Sequence, residues 1–81
     1  MKKYDGFDDA ILGPASIWRS NSMVSVLVYD AEVMRSILMQ RDGMSMEDAR
    51  EFIEFNIESA YIGEDTPVLV WSNDIYWEEQ E

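Results

Sequence analysis

Apolar and polar positions keep two different periods along this chain. In "MVSVLVY", residues 23–29, Val24, Val26 and Val28 fall on one side and Ser25, Leu27 and Tyr29 on the other. A period of two among β-branched residues predicts a strand. Its second side is only half polar, so that face is expected to be partly covered as well. The period then lengthens. Asp30 is placed to cap a helix through "AEVMRSILMQR", whose inner face takes Val33, Ile37 and Leu38 and which Gly43 stops. Ser45 with Asp48 three residues on resembles a capping box, Asp standing where Glu or Gln is usual. It opens a second helix over about residues 46–61, with Ala49, Phe52, Ile53, Asn56 and Ala60 facing inward and Gly63 as its end. "TPVLVWS" predicts another strand, with Pro67 confined to its first position. "SND" is a turn signal, and "IYW" after it predicts a short third strand.

Ahead of these elements, "YDGFDDAILG" has the signals of a short helix: Asp5 as cap, Asp8 and Asp9 in the first turn, Gly13 and Pro14 as terminators. "PASIWRSNS" then reads as a connector, with Ile17 and Trp18 tucked against the core and "SNS" as a turn. The two long helices are separated by about four residues and should form an antiparallel hairpin. A strand, two helices and a strand in that order bring the second strand back antiparallel to the first. The expected architecture is α+β: a short N-terminal helix, then β-α-α-β, the helical hairpin packed on a two- to three-stranded antiparallel sheet. Length allows one domain over residues 1–81, with 1–3 and 78–81 as flexible ends.

Composition changes the picture in two ways. There is no cysteine, so neither a disulfide nor a thiolate metal site can staple the chain, and stability must come from a core. The charge is lopsided: 17 Asp and Glu against 6 Lys and Arg, net −11. After Arg50 no basic residue follows, while nine acidic ones do. Such a field repels nucleic acid and anionic lipid and attracts basic protein surfaces. No segment approaches the roughly 20 apolar residues of a membrane span, and "MKKYDGFDD" has no apolar core of a signal peptide. The expected location is therefore the cytoplasm.

Four segments, "YDGFDDAILG", "LVYD", "DGMSMEDAREFIEFN" and "AYIGEDTP", resemble a group of short acidic proteins encoded by tailed phages and prophages. The resemblance covers most of the chain between Tyr4 and Pro67, and departs at "GPASIW" and at Ser59, where a glycine is expected. It implies a phage origin and a host-cell cytoplasm. It brings no activity, cofactor or site with it.

The chemistry offers little to an enzyme. Histidine and cysteine, the usual acid–base and nucleophilic groups at neutral pH, are both absent. A carboxylate pair alone can hydrolyse glycosides, but that needs a sugar-binding cleft that a chain of this size rarely supplies. No P-loop, dinucleotide, EF-hand or HExxH pattern occurs. No cofactor is expected. Asp5, Asp8 and Asp9 have the oxygen chemistry of a Mg²⁺ or Ca²⁺ site, but a capped helix start explains them better, so no metal site is expected either. The informative feature is a stripe. Glu47, Glu51, Glu54 and Glu58 recur at steps of four, three and four, which puts all four on one helix face. They span about 16 Å at about 6 Å intervals, close to the spacing of phosphates along a nucleic-acid strand. A solvated helix face is the simpler explanation of the stripe, with Arg50 offsetting part of the repulsion at Glu54.

The expectation that follows is a non-enzymatic phage protein that binds a basic surface of a host protein, with the stripe as its binding face. A nucleic-acid mimic that inhibits a defence nuclease, of anti-CRISPR or anti-restriction type, would look like this. Tyr76, Trp77, Glu64 and Asp65 are secondary interface candidates. The alternative is an accessory module that forms a homodimer through the sheet edge at "VLVWSNDIYW".

Overall fold

The computed structural model describes residues 1–72. A single turn of 3₁₀-helix at Asp8–Ala10 leads into β1 (Ile11–Arg19), β2 (Ser22–Asp30), α1 (Ala31–Asp42), α2 (Met46–Ile53), a π-helical turn at Glu54–Glu58, and β3 (Val68–Val70). The class is α+β, with strand, helix, helix and strand in the expected order. Two features of the sheet differ from expectation, and both are decided by how β2 is paired.

The first is that "ILGPASIWR" is a nine-residue strand, not a helix end followed by a connector. Gly13 and Pro14 stop helices, but both also suit the edge of a sheet. Leu12 is the extra residue of a β-bulge, since Ile11 lies opposite Tyr29 and Gly13 already lies opposite Val28. Gly13 takes φ 147° beside it, a conformation that a side chain would strain. Pro14 lacks an N–H, which an edge strand can do without. The hairpin closes through Ser20 and Asn21, at φ 51° and 68°. Positive φ at both positions is the two-residue turn whose twist matches antiparallel strands.

The second is the direction of the last strand. β2 sits between β1 and β3; it pairs antiparallel with β1 but parallel with β3, with Val28, Tyr29 and Asp30 opposite Val68, Leu69 and Val70. The sheet is mixed. A helical hairpin alone would return the chain antiparallel to β2, but residues 59–67 carry it back along the sheet first. Arg19, at the hairpin tip, donates from Nη1 to the Glu64 carbonyl at 2.7 Å and holds that return path. Buried Thr66 knots it: its Oγ1 accepts from the Ile62 N–H at 2.9 Å and donates to the Gly63 carbonyl. The proposed third strand "IYW" lies outside the described residues.

The signals that bound α1 and start α2 are used. Asp5 caps no helix, and the second helix stops short of Gly63, α2 ending at Ile53 and its π-turn at Glu58. Asp30 Oδ1 accepts from the Glu32 N–H at 3.0 Å. Gly43 ends α1 in the left-handed region at φ 71°. Ser45 Oγ accepts from the Asp48 N–H at 3.1 Å and starts α2. The core lies between the helices and one face of the sheet. Tyr29, flanked by Ile11, Leu27 and Leu69, meets Phe7, Ala10, Met34, Leu38, Ala49, Ile53 and Ile57. On the opposite face Val26 is also buried, so both sides of β2 are covered. Phe52 and Asn56, expected inside, are exposed instead, and Ile57 takes the inner position. The buried row Ala49, Ile53, Ile57 steps by four, leaving only a narrow stripe to face the core. At the N-terminus, where residues 1–3 were expected loose, Lys2 and Lys3 pair with Asp65 at 2.9 Å and Asp8 at 3.3 Å. The Tyr4 N–H donates to the buried Tyr29 hydroxyl at 2.8 Å. Burial first, and Tyr29 second, push the Tyr4 phenol above its ordinary value.

Candidate protein-interaction surface

The charge map follows from where six cations sit among 17 carboxylates. Every cation has an internal partner. Lys2 holds Asp65, Lys3 holds Asp8, and Arg35 holds Glu32. Arg41 holds Asp42, Arg50 holds Glu54, and Arg19 holds the Glu64 carbonyl. The excess charge is therefore displayed by acids that these contacts leave over.

The four stripe residues divide in two. Glu54 receives Arg50 at 3.0 Å, one helical turn away. Glu58 Oε1 accepts from the Trp71 indole at 3.3 Å. The Trp71 ring in turn carries the Arg50 guanidinium at 4.2 Å and that of Arg35 at 5.9 Å, both within cation–π range. This half of the stripe joins α2 and its π-turn to the end of β3 and α1; the Glu54 charge is offset by Arg50, and Glu58 gives one oxygen to the indole. Glu47 and Glu51 are exposed and have no ion-pair partner among the described residues. Of the binding face expected from the sequence, Glu47 and Glu51 lie on α2, whereas Glu54 and Glu58 lie in the π-helical turn that follows it and contact Arg50 and Trp71.

The free half widens sideways. Asp48 joins Glu47 and Glu51 in the first turns of α2, where the helix dipole favours acids. Next to them the π-turn, with Ser59 Oγ donating to the Phe55 carbonyl at 2.8 Å, presents Phe55 at 73% exposure. Phe52 is 37% exposed beside it. Met44, Asp48, Glu51, Phe52, Phe55 and Asn56 line an open groove of about 370 Å³. An acidic rim on an aromatic floor suits an amphipathic cation: an arginine stem lies over phenylalanine rings while its guanidinium meets carboxylates. Phe55 was not singled out in the sequence, and Asp48 was read there only as the partner of the Ser45 cap. The available signal was Phe52 and Phe55 at a spacing of three, more apolar surface than the Ala49/Ile53/Ile57 row could bury.

The secondary candidates fare differently. Asp65 is tied to Lys2 and lies 3.9 Å from the N-terminal ammonium. The Lys2 hydrogen bond chiefly holds its carboxyl below the ordinary value. It is a latch between the N-terminus and the 59–67 segment. Glu64 is exposed, and its carbonyl is taken by Arg19. Tyr76 and Trp77 lie outside the described residues. Among the described residues no group of three or more acidic, His or Cys side chains could hold a metal ion, and no helix is long and apolar enough to cross a membrane.

No protein-family model, no curated protein and no solved structure matches the chain.

Proposed function

We propose that this protein is a non-enzymatic binding module that docks the free face of α2 onto a basic surface of another protein. The observation that carries the reading is the juxtaposition of Glu47, Asp48 and Glu51, none with a cation among the described residues, with exposed Phe52 and Phe55. Acids alone would suit a solvated face. Acids around an aromatic floor give both halves of an interface, long-range attraction and a desolvated centre. With a phage origin, the partner is a basic nucleic-acid-binding protein of the host cytoplasm, and the module acts as a nucleic-acid mimic that blocks a defence nuclease. The test is capture of host proteins on the immobilised chain at low salt, followed by competition with duplex DNA. A partner displaced by DNA and released by about 1 M NaCl, where the Debye length falls to ~3 Å, supports the reading. A partner retained under both conditions rejects it.

A further inference from the structure

Residues 10–29 contain no carboxylate; all 17 acids of the chain lie outside them, and their one formal charge is Arg19. In the fold these residues are nearly the whole β1–β2 hairpin. Its outer strand, β1, is an edge of the sheet. Pro14 blunts the middle of that edge, but Ala15 to Arg19 still offer unpaired backbone groups. Near the tip, Trp18 and Met23 stand opposite each other on one face, 70% and 53% exposed. At the other end of the strand Leu12, on the bulge, is 60% exposed. Isolated exposed apolar residues are ordinary. A cross-strand Trp–Met pair on a free sheet edge is a contiguous patch of the kind that marks an interface.

We propose that this edge is a homodimer contact, with a second copy of the same chain as its occupant. The reason is charge. A basic partner finds no carboxylate here and is drawn to α2 instead. A molecule of net −11 is repelled by the acidic surfaces of another copy, and the hairpin, with no carboxylate of its own, adds nothing to that repulsion. Antiparallel pairing of Ala15–Arg19 with its own copy joins two three-stranded sheets across a two-fold axis, an isologous contact. Trp18 and Met23 of both copies then gather on one face of the joined sheet. Both α2 faces remain outside the contact, so the dimer is bivalent for the partner proposed above.

The electrostatics of the two contacts have opposite signs, which separates them. Docking through α2 weakens with salt because unlike charges meet. Dimerisation brings two strongly anionic chains together, so screening their repulsion strengthens it. Sedimentation velocity of the full chain across a concentration series, at about 50 mM and about 500 mM NaCl, should show a monomer–dimer equilibrium whose dissociation constant falls several-fold at the higher salt. Trp18→Asp should abolish the dimer at an exposed position, with thermal melting as the check that it folds; Met23→Asp is the second variant should the first fail to fold. Phe55→Asp, on the α2 side, should leave the dimer unchanged. A monomer at every concentration and both salts overturns the proposal, as does a dimer that survives both tip substitutions. Neither result bears on partner capture through α2.

Discussion

Glu51→Lys reverses the charge at the stripe position with acids on both sides. Glu47 lies four residues before it, Asp48 three before and Glu54 three after. Each of these spacings places like charges on neighbouring helix positions, and each repulsion becomes an attraction in the variant. Pairs of this kind are worth about 0.2–0.5 kcal/mol in isolated helices. Glu54 is already engaged by Arg50, so the net gain at low salt is about 1 kcal/mol. In a domain of this size that raises the melting temperature by about 4–8 °C. At about 1 M NaCl the Debye length of ~3 Å is shorter than the spacing between the groups, and the gain should vanish. The same variant should lose the partner, because a lysine then faces a basic surface. Circular-dichroism melts at both salts, run beside partner capture, measure both effects. A variant that melts below wild type at low salt shows that Glu51 makes a native contact, and refutes the placement. A variant that melts higher and still captures the partner as well as wild type shows α2 to be a solvated face only. Glu54→Lys would be a poorer probe, since it sets two cations together at Arg50.

Other expectations test the fold beneath the site. Ile53→Ala, at a fully buried position, should cost about 2–5 kcal/mol in urea unfolding. Phe55→Ala, which empties no core site, should stay within about 0.5 kcal/mol; equal losses would mean that the inner face of α2 is misplaced. Tyr29→Phe removes the acceptor of the Tyr4 N–H and should cost about 1 kcal/mol, with hydrogen exchange at Tyr4 rising more than exchange in α1. The Asp65 carboxyl is held below its ordinary 3.8 by the Lys2 hydrogen bond. Its contribution is present above that value and is lost as the pH falls through the lowered one. NMR signals of Lys2 and Gly63 should therefore shift together only in that acid range; movement near neutral pH would rule the latch out.

What the sequence determined by itself is what depends on neighbours along the chain. Asp30, Gly43 and Ser45 mark helix ends because a side chain or a left-handed residue there satisfies backbone groups within five residues. The alternation in 23–29 marks a strand, and two helices on either side of a short link stay adjacent. The α+β order was legible for the same reason. The tertiary structure decided the rest. Gly13 and Pro14 carry one meaning at a helix end and another on a sheet edge, and only pairing with β2 selects between them. The direction of β3 depends on where residues 59–67 lie, which Arg19 settles from 45 residues away. Phe52 and Ile57 have similar claims to the interior, and the narrow seam between α2 and the core admits Ile57. The stripe divides for a like reason: Trp71 arrives from β3 to meet Glu58, Arg50 and Arg35. Side-chain charge is written in the chain, but whether it is neutralised is set by which distant groups the fold brings to it.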